Sequence, residues 1–122
     1  MEVVFRVDAS LDMGTGHIVR CMTLADAMKK RGIVCRFVCR LHPGNWIEKI
    51  RSRGFYVHEL PFDNSSQEWL GADWCKDAEQ TLMVLKGVKA NHLIVDHYGI
   101  DARWEKRIKP FFSQLMVIDD LT

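Results

Sequence analysis

The sequence is short of most features that would place it at a glance. It has no excess of charge: the formal net charge of +1 gives no electrostatic reason to expect nucleic acid or a membrane surface as a partner. It has no apolar run approaching the roughly 20 residues that cross a bilayer, so no membrane span is expected. Met1-Glu2-Val3-Val4-Phe5 shows neither the basic region nor the cleavage pattern of a signal peptide, and a cytoplasmic protein is expected. The four cysteines, Cys21, Cys35, Cys39 and Cys75, form no C-x-x-C pair. They read as small apolar residues rather than as a zinc or redox set. No internal repeat, low-complexity tract or linker breaks the 122 residues, so one domain with a real core is expected.

What is present is alternation. Glu2–Val7 reads as a strand of continuous apolar character, suited to burial on both faces of a parallel sheet. A helix from His17 to Lys30 follows, with Ile18, Cys21, Met22, Ala25 and Met28 at helical spacing on one face. Ile33–Cys39 is the second strand, with Cys35, Phe37 and Cys39 on one side. Asn45 is placed to cap a short helix, Trp46–Arg53, and Phe55–Leu60 is the third strand. Beyond the polar stretch Phe62–Gly71, Ala72–Lys86 patterns as a helix with Cys75, Ala78, Leu82 and Leu85 inward. His92–Asp96 is the fourth strand. Asp101 is placed to cap a helix through Lys109 that Pro110 stops, and Leu115–Ile118 is the fifth strand.

Five strands alternating with four helices predict an α/β, Rossmann-like three-layer sandwich with a parallel five-stranded sheet, most simply in the order 3-2-1-4-5. In such sheets ligands gather beyond the carboxyl ends of the strands. Three acidic segments are expected on that rim: Asp8 with Asp12, Asp96-His97-Tyr98, and Asp119-Asp120.

The richest stretch is Asp8–Leu24, DASLDMGTGHIVRCMTL. Strand, glycine loop and helix in that order bring backbone N–H groups and a helix N-terminus to one point. Gly14-Thr15-Gly16-His17 is not the dinucleotide fingerprint, because Val19 stands where a third glycine belongs, and the Walker lysine is absent. NAD and ATP sites of those types are therefore excluded, and no cofactor is expected. One reading is a tight turn with a solvent-exposed histidine. The sharper one is a histidine held at a helix N-terminus, where the positive helix end favours the neutral ring and its use as a general base. Arg20, one turn on, can meet a phosphate or carboxylate, or pair with Asp8 or Asp12. Asp96 can orient a histidine or close an Asx turn. His97 has no second histidine at ligand spacing, so no metal site is expected, and His42, His58 and His92 read as ordinary loop or strand residues. Trp104 reads as packing, and Trp46, Trp69 and Trp74 are too scattered to stack nucleic-acid bases.

The segments FRVDAS, GTGHIVRCMTLADAMKKRG, VDHYGIDARWE and VIDDL, taken in order, resemble the UDP-sugar hydrolases of pseudaminic acid biosynthesis and the spore-coat polysaccharide proteins of similar sequence. The resemblance runs from the first strand to the last residue. It implies the N-terminal domain of a two-domain GT-B architecture and metal-independent release of UDP from a diacetamido-trideoxy sugar, with water attacking the anomeric carbon. It assigns His17 as the residue that activates water. Asp12, Gly14, Gly16, Arg20 and Tyr98 are the matching substrate-site positions. Family members continue past the IDDL block into a nucleotide-binding domain, so a second domain, in cis or from another chain, is expected as a partner beside the UDP-linked sugar. Two rival readings stay open: the acceptor half of a GT-B glycosyltransferase, with the same histidine deprotonating a hydroxyl, and a non-catalytic binding domain.

Overall fold

The computed structural model describes residues 1–62 and 70–118. Most of the polar stretch Phe62–Gly71, and Asp119-Asp120 with it, lie outside the described residues. Five strands, β1 (Glu2–Val7), β2 (Val34–Arg40), β3 (Tyr56–Leu60), β4 (His92–Asp96) and β5 (Gln114–Val117), form one parallel sheet in the order β3-β2-β1-β4-β5. The expected fold class and strand order are both found. The helices are α1 (Gly16–Lys30), α2 (Ile47–Ser52), α3 (Trp74–Val84) and α4 (Ala102–Ile108). The last expected helix stops one residue early, because Pro110 falls in a separate 3-10 turn, Lys109–Phe111.

Side chains alternate across each strand and so divide the core in two. Val3, Phe5 and Val7 of β1 and Cys35, Phe37 and Cys39 of β2 pack under Ile18, Cys21, Met22 and Ala25 of α1. Val4, Val38, Leu93 and Val95 face the other way, against Ala78, Trp104 and Ile108 of α3 and α4. Local signals set the helix starts. Asn45 accepts the Ile47 amide at 3.1 Å, as expected of a residue before α2. Asp101 takes the Arg103 amide at 3.0 Å. Asp73 takes the Lys76 amide at 2.9 Å, so α3 begins at Trp74 and not at Ala72.

The inward face of α3 also differs from expectation. Cys75 is exposed, and Asp77, Ala78 and Thr81 are buried. The helix is turned to deliver Asp77 to two arginines that rise from buried strands. Arg6 donates to its carboxylate from Nε at 3.2 Å and Nη2 at 2.5 Å, and Arg40 from Nη2 at 2.6 Å. Arg6 also reaches Asp8 at 2.9 Å. Burial pushes the pKa of Asp77 up, but Arg6 and Arg40 outweigh it and hold the carboxyl below its ordinary value. For Asp8, burial is likewise outweighed by Arg6 and by hydrogen bonds from His42 and His97.

Carboxyls with depressed folded-state pKa values stabilise the fold fully above the unfolded-state value. They lose that contribution as pH falls through the folded one. Thermal stability is therefore expected to be level down to about pH 5 and to fall progressively below about pH 4. Melting curves by circular dichroism between pH 7 and pH 2.5 check this; an unchanged midpoint at pH 3 would show that these carboxyls carry no such linkage.

Candidate functional site

The carboxyl ends of β1, β2 and β4 meet at one rim. After β1 the chain turns tightly: the Gly14 amide donates to the Ser10 carbonyl at 2.9 Å, and the Met13 amide to Ser10 Oγ at 2.9 Å. Gly14 needs its glycine, since its φ of +76° is one that side chains disfavour. Thr15 stands at the N-cap of α1 without a side-chain bond, and the first turn holds no acid. The first amides of α1 therefore take no bond from the side chain of the N-cap residue. Gly16 opens α1 and has no positive φ, and a Cβ added there would meet nothing within 4 Å.

His17 lies in the first turn of α1 and is buried. The solvent-exposed alternative does not hold. The register of β1 on β4 sets Val7 beside Asp96, which brings the last residue of β4 under the start of α1. His17 Nδ1 then stands 2.5 Å from Asp96 Oδ1. Arg20 grips the same carboxylate with both arms of its fork, Nε to Oδ2 at 2.5 Å and Nη2 to Oδ1 at 2.5 Å. Among the described residues its acid is thus Asp96, not Asp8 or Asp12. Burial raises the pKa of Asp96, but the hydrogen bonds from Arg20 and His17 outweigh it and hold the carboxyl ionised. In the neutral ring, an ionised Asp96 assigns the proton of His17 to Nδ1 and leaves Nε2 with its lone pair. Tyr98, half exposed, meets the His17 ring edge-on with centroids 4.5 Å apart.

Cys21 Sγ lies 3.6 Å from Asp96 Oδ2. Burial and then that carboxylate push its pKa well up, so at neutral pH it is a thiol and not a nucleophile. Asp12 is exposed on the loop, outside this hydrogen-bonded cluster. The described partners of the Asp96 carboxylate are the side chains of His17, Arg20 and Cys21, and a turn of the Asx kind is made by the next residue, His97, whose Nδ1 accepts the Gly99 amide at 2.9 Å.

His42 corrects the expectation that it is an ordinary loop residue. It is buried, with Nε2 3.2 Å from Asp8 Oδ2, and His97 Nε2 stands 2.7 Å from the same oxygen. One ligand atom from each of these residues falls within 4.8 Å of the others, so the cluster has the composition of a metal site. Its bonding does not fit one. His97 Nδ1 accepts an amide proton, so the ring proton sits on Nε2 and points at Asp8. The other oxygen of Asp8 takes Arg6 Nη1 at 2.9 Å and the Arg40 amide at 2.7 Å, which sets a guanidinium where an ion would need none. The cluster is a clasp joining the ends of β1, β2 and β4. Nothing local in the sequence pairs His42 with His97.

No family model matches the chain. It is 32% identical over 109 residues to the UDP-2,4-diacetamido-2,4,6-trideoxy-beta-L-altropyranose hydrolase of Campylobacter jejuni, covering 89% of this chain and 32% of that protein. It is 25% identical over 120 residues to an uncharacterized protein of Methanocaldococcus jannaschii, covering 98% of this chain and 22% of that one. The chain thus spans about a third or less of the length of the curated relatives it matches. The first of these ties it, distantly, to a protein named as acting on a UDP-linked sugar. Among the described residues, no helix is long and apolar enough to cross a membrane.

Proposed function

We propose that this chain carries the catalytic histidine of a nucleotide-sugar hydrolase that releases UDP from a diacetamido-trideoxy sugar in surface-polysaccharide biosynthesis. One observation carries the reading: His17 is bonded through Nδ1 to an ionised Asp96, leaving Nε2 as a base. In the reaction Nε2 takes a proton from water as the water oxygen bonds to the anomeric carbon. The bond from that carbon to the diphosphate oxygen breaks, and UDP leaves with the electron pair. Asp96 faces the imidazolium so formed, and Arg20 holds Asp96 in place rather than contacting substrate. Tyr98 lines the sugar beside His17, and Asp12 is available to a sugar hydroxyl from the loop. Leu11 is 80% and Tyr98 48% exposed, and Leu41 and Val19 are exposed as well. This apolar surface suits closure by a second domain, in cis or from another chain.

The test is UDP release from UDP-2,4-diacetamido-2,4,6-trideoxy-β-L-altropyranose by the purified chain, beside His17→Ala. Release without an acceptor alcohol, lost in the variant, supports the hydrolase. Release that requires an acceptor would favour a glycosyltransferase half, and release indifferent to His17→Ala would remove the histidine from the chemistry.

Gly16 offers a second check. Nothing among the described residues requires a glycine there, and the space above its Cα suits the close approach of a ligand. Gly16→Ala is expected to leave the melting midpoint unchanged or slightly raised. Titration calorimetry with UDP or the UDP-sugar should show binding weaker by roughly tenfold, the order of effect of one methyl group in a fitted pocket. Unaltered affinity would mean that the ligand does not pass over this loop.

A further inference from the structure

The residues Asp96 to Gly99 face two ways. Asp96 and Tyr98 turn to His17, while His97 between them turns back into the fold, its side chain fully buried. Both nitrogens of His97 are used. Nε2 is anchored on Asp8 Oδ2 at 2.7 Å, and Nδ1 accepts the Gly99 amide at 2.9 Å. A side-chain acceptor that takes the amide two residues on closes the chain as an Asx turn does. The residue enclosed by that turn is Tyr98, whose ring stands edge-on to His17. Gly99 is fitted to the arrangement: a Cβ there would lie 3.0 Å from Cε1 of the His97 ring and 3.1 Å from the Leu70 amide nitrogen.

We infer that His97 is a positioning residue for the site: anchored on Asp8, it closes the turn that sets Tyr98 against His17. Its geometric part stands by itself, and its consequence for catalysis rests on the hydrolase reading above. The ring belongs to a histidine because two contacts in different directions are needed at once, one to Asp8 and one to Gly99. No shorter side chain reaches both.

Two substitutions separate the contacts. Asparagine at 97 can offer Oδ1 near the place of Nδ1, keeping the Gly99 bond and losing Asp8. Glutamine can reach toward Asp8 and loses the turn. NMR of the full chain reads the result through cross-relaxation between the Tyr98 and His17 ring protons, with circular dichroism to confirm the fold. The contact is expected to persist in His97→Asn and to vanish in His97→Gln and in Gly99→Val. In the UDP-release assay, His97→Gln is expected to raise KM about three- to tenfold, the worth of one hydrogen bond, with kcat unchanged. Tyr98→Ala should raise KM similarly, and the two effects should not add.

A ring contact that survives in His97→Gln overturns the proposal. So does loss of the contact in His97→Asn as well as His97→Gln, since that would make His97 a fold residue without a turn-specific role. The NMR measurement needs no substrate, so a chain that releases no UDP would count against the hydrolase reading and leave the geometric result standing.

Discussion

Asp77→Asn is expected to cost about 3–5 kcal/mol of stability, the range for removing one partner from a buried ion pair. The side chain of Asp77 is completely buried, and its carboxylate takes hydrogen bonds from Arg6, Arg40 and Trp104 Nε1, the last at 2.8 Å. The local charges balance: Arg6 and Arg40 against Asp8 and Asp77. Asparagine keeps the shape but leaves two guanidinium groups facing one carboxylate. It also turns an NH2 donor toward groups that are themselves donors, and no water replaces the lost acceptor at so buried a position. For a domain with a typical 5–15 kcal/mol in all, this removes a large share. The midpoint should fall by about 10–20 °C, interpolating between small and medium domains. The matched control is Asp101→Asn, also an acid paired to an arginine but exposed and at the N-cap of α4. Asparagine caps a helix about as well, and exposed pairs contribute little, so less than about 1 kcal/mol should be lost. Urea unfolding at constant slope compares the two. A loss under about 1 kcal/mol for Asp77→Asn would show that the arginines relax toward other acceptors.

That network also marks where sequence reading stops. Hydrophobic alternation reports which face of a strand is buried, and glycines and capping residues report where elements end. Those local signals mark the five strands and all but a residue or two of each boundary, and the alternation of strand and helix supplies their order. Buried charge is a different matter, because its partners are distant in the chain. Arg6 stands inside the apolar run EVVFRV, where an unmatched guanidinium is too costly to persist, so an acid had to face it from the helix layer. The candidate stands in α3 as Asp77, whereas apolar spacing along that helix points to Cys75. The site shows the same division. The glycine loop marked His17, and the order of strands brought Asp96 beneath it. The depth of His17 and the capture of Arg20 by Asp96 came from tertiary packing. So did the clasp of Asp8, His42 and His97, whose members follow three different strands. Asp12 is indicated by resemblance within a loop, and no spacing rule separates an exposed loop acid from a buried one.

On the hydrolase reading proposed above, the largest functional effect is expected from His17→Ala. Loss of a general base typically lowers kcat by about 10²- to 10⁴-fold, and UDP release should fall by that order. This number alone would not show what Asp96 does, because any damage to the loop lowers activity. The pair is distinguished by a double-mutant cycle. Asp96→Asn keeps an oxygen near Nδ1 but removes the charge that faces the imidazolium in the transition state, and it releases the fork of Arg20. Alone it is expected to lower kcat about a hundredfold or more, with KM changed less, since the lost interaction strengthens as the ring gains its proton. In the His17→Ala background the same change should cost almost nothing further, because there is no imidazolium left to stabilise. If Asp96 only held β4 to α1, its loss would instead subtract equally from both backgrounds and appear in the melting midpoint. Multiplicative effects would therefore reject the dyad even if each single variant were inactive enough to look catalytic. Strongly non-multiplicative effects would tie the chemistry to Nε2 of a histidine whose other nitrogen is fixed by an aspartate that an arginine in turn holds.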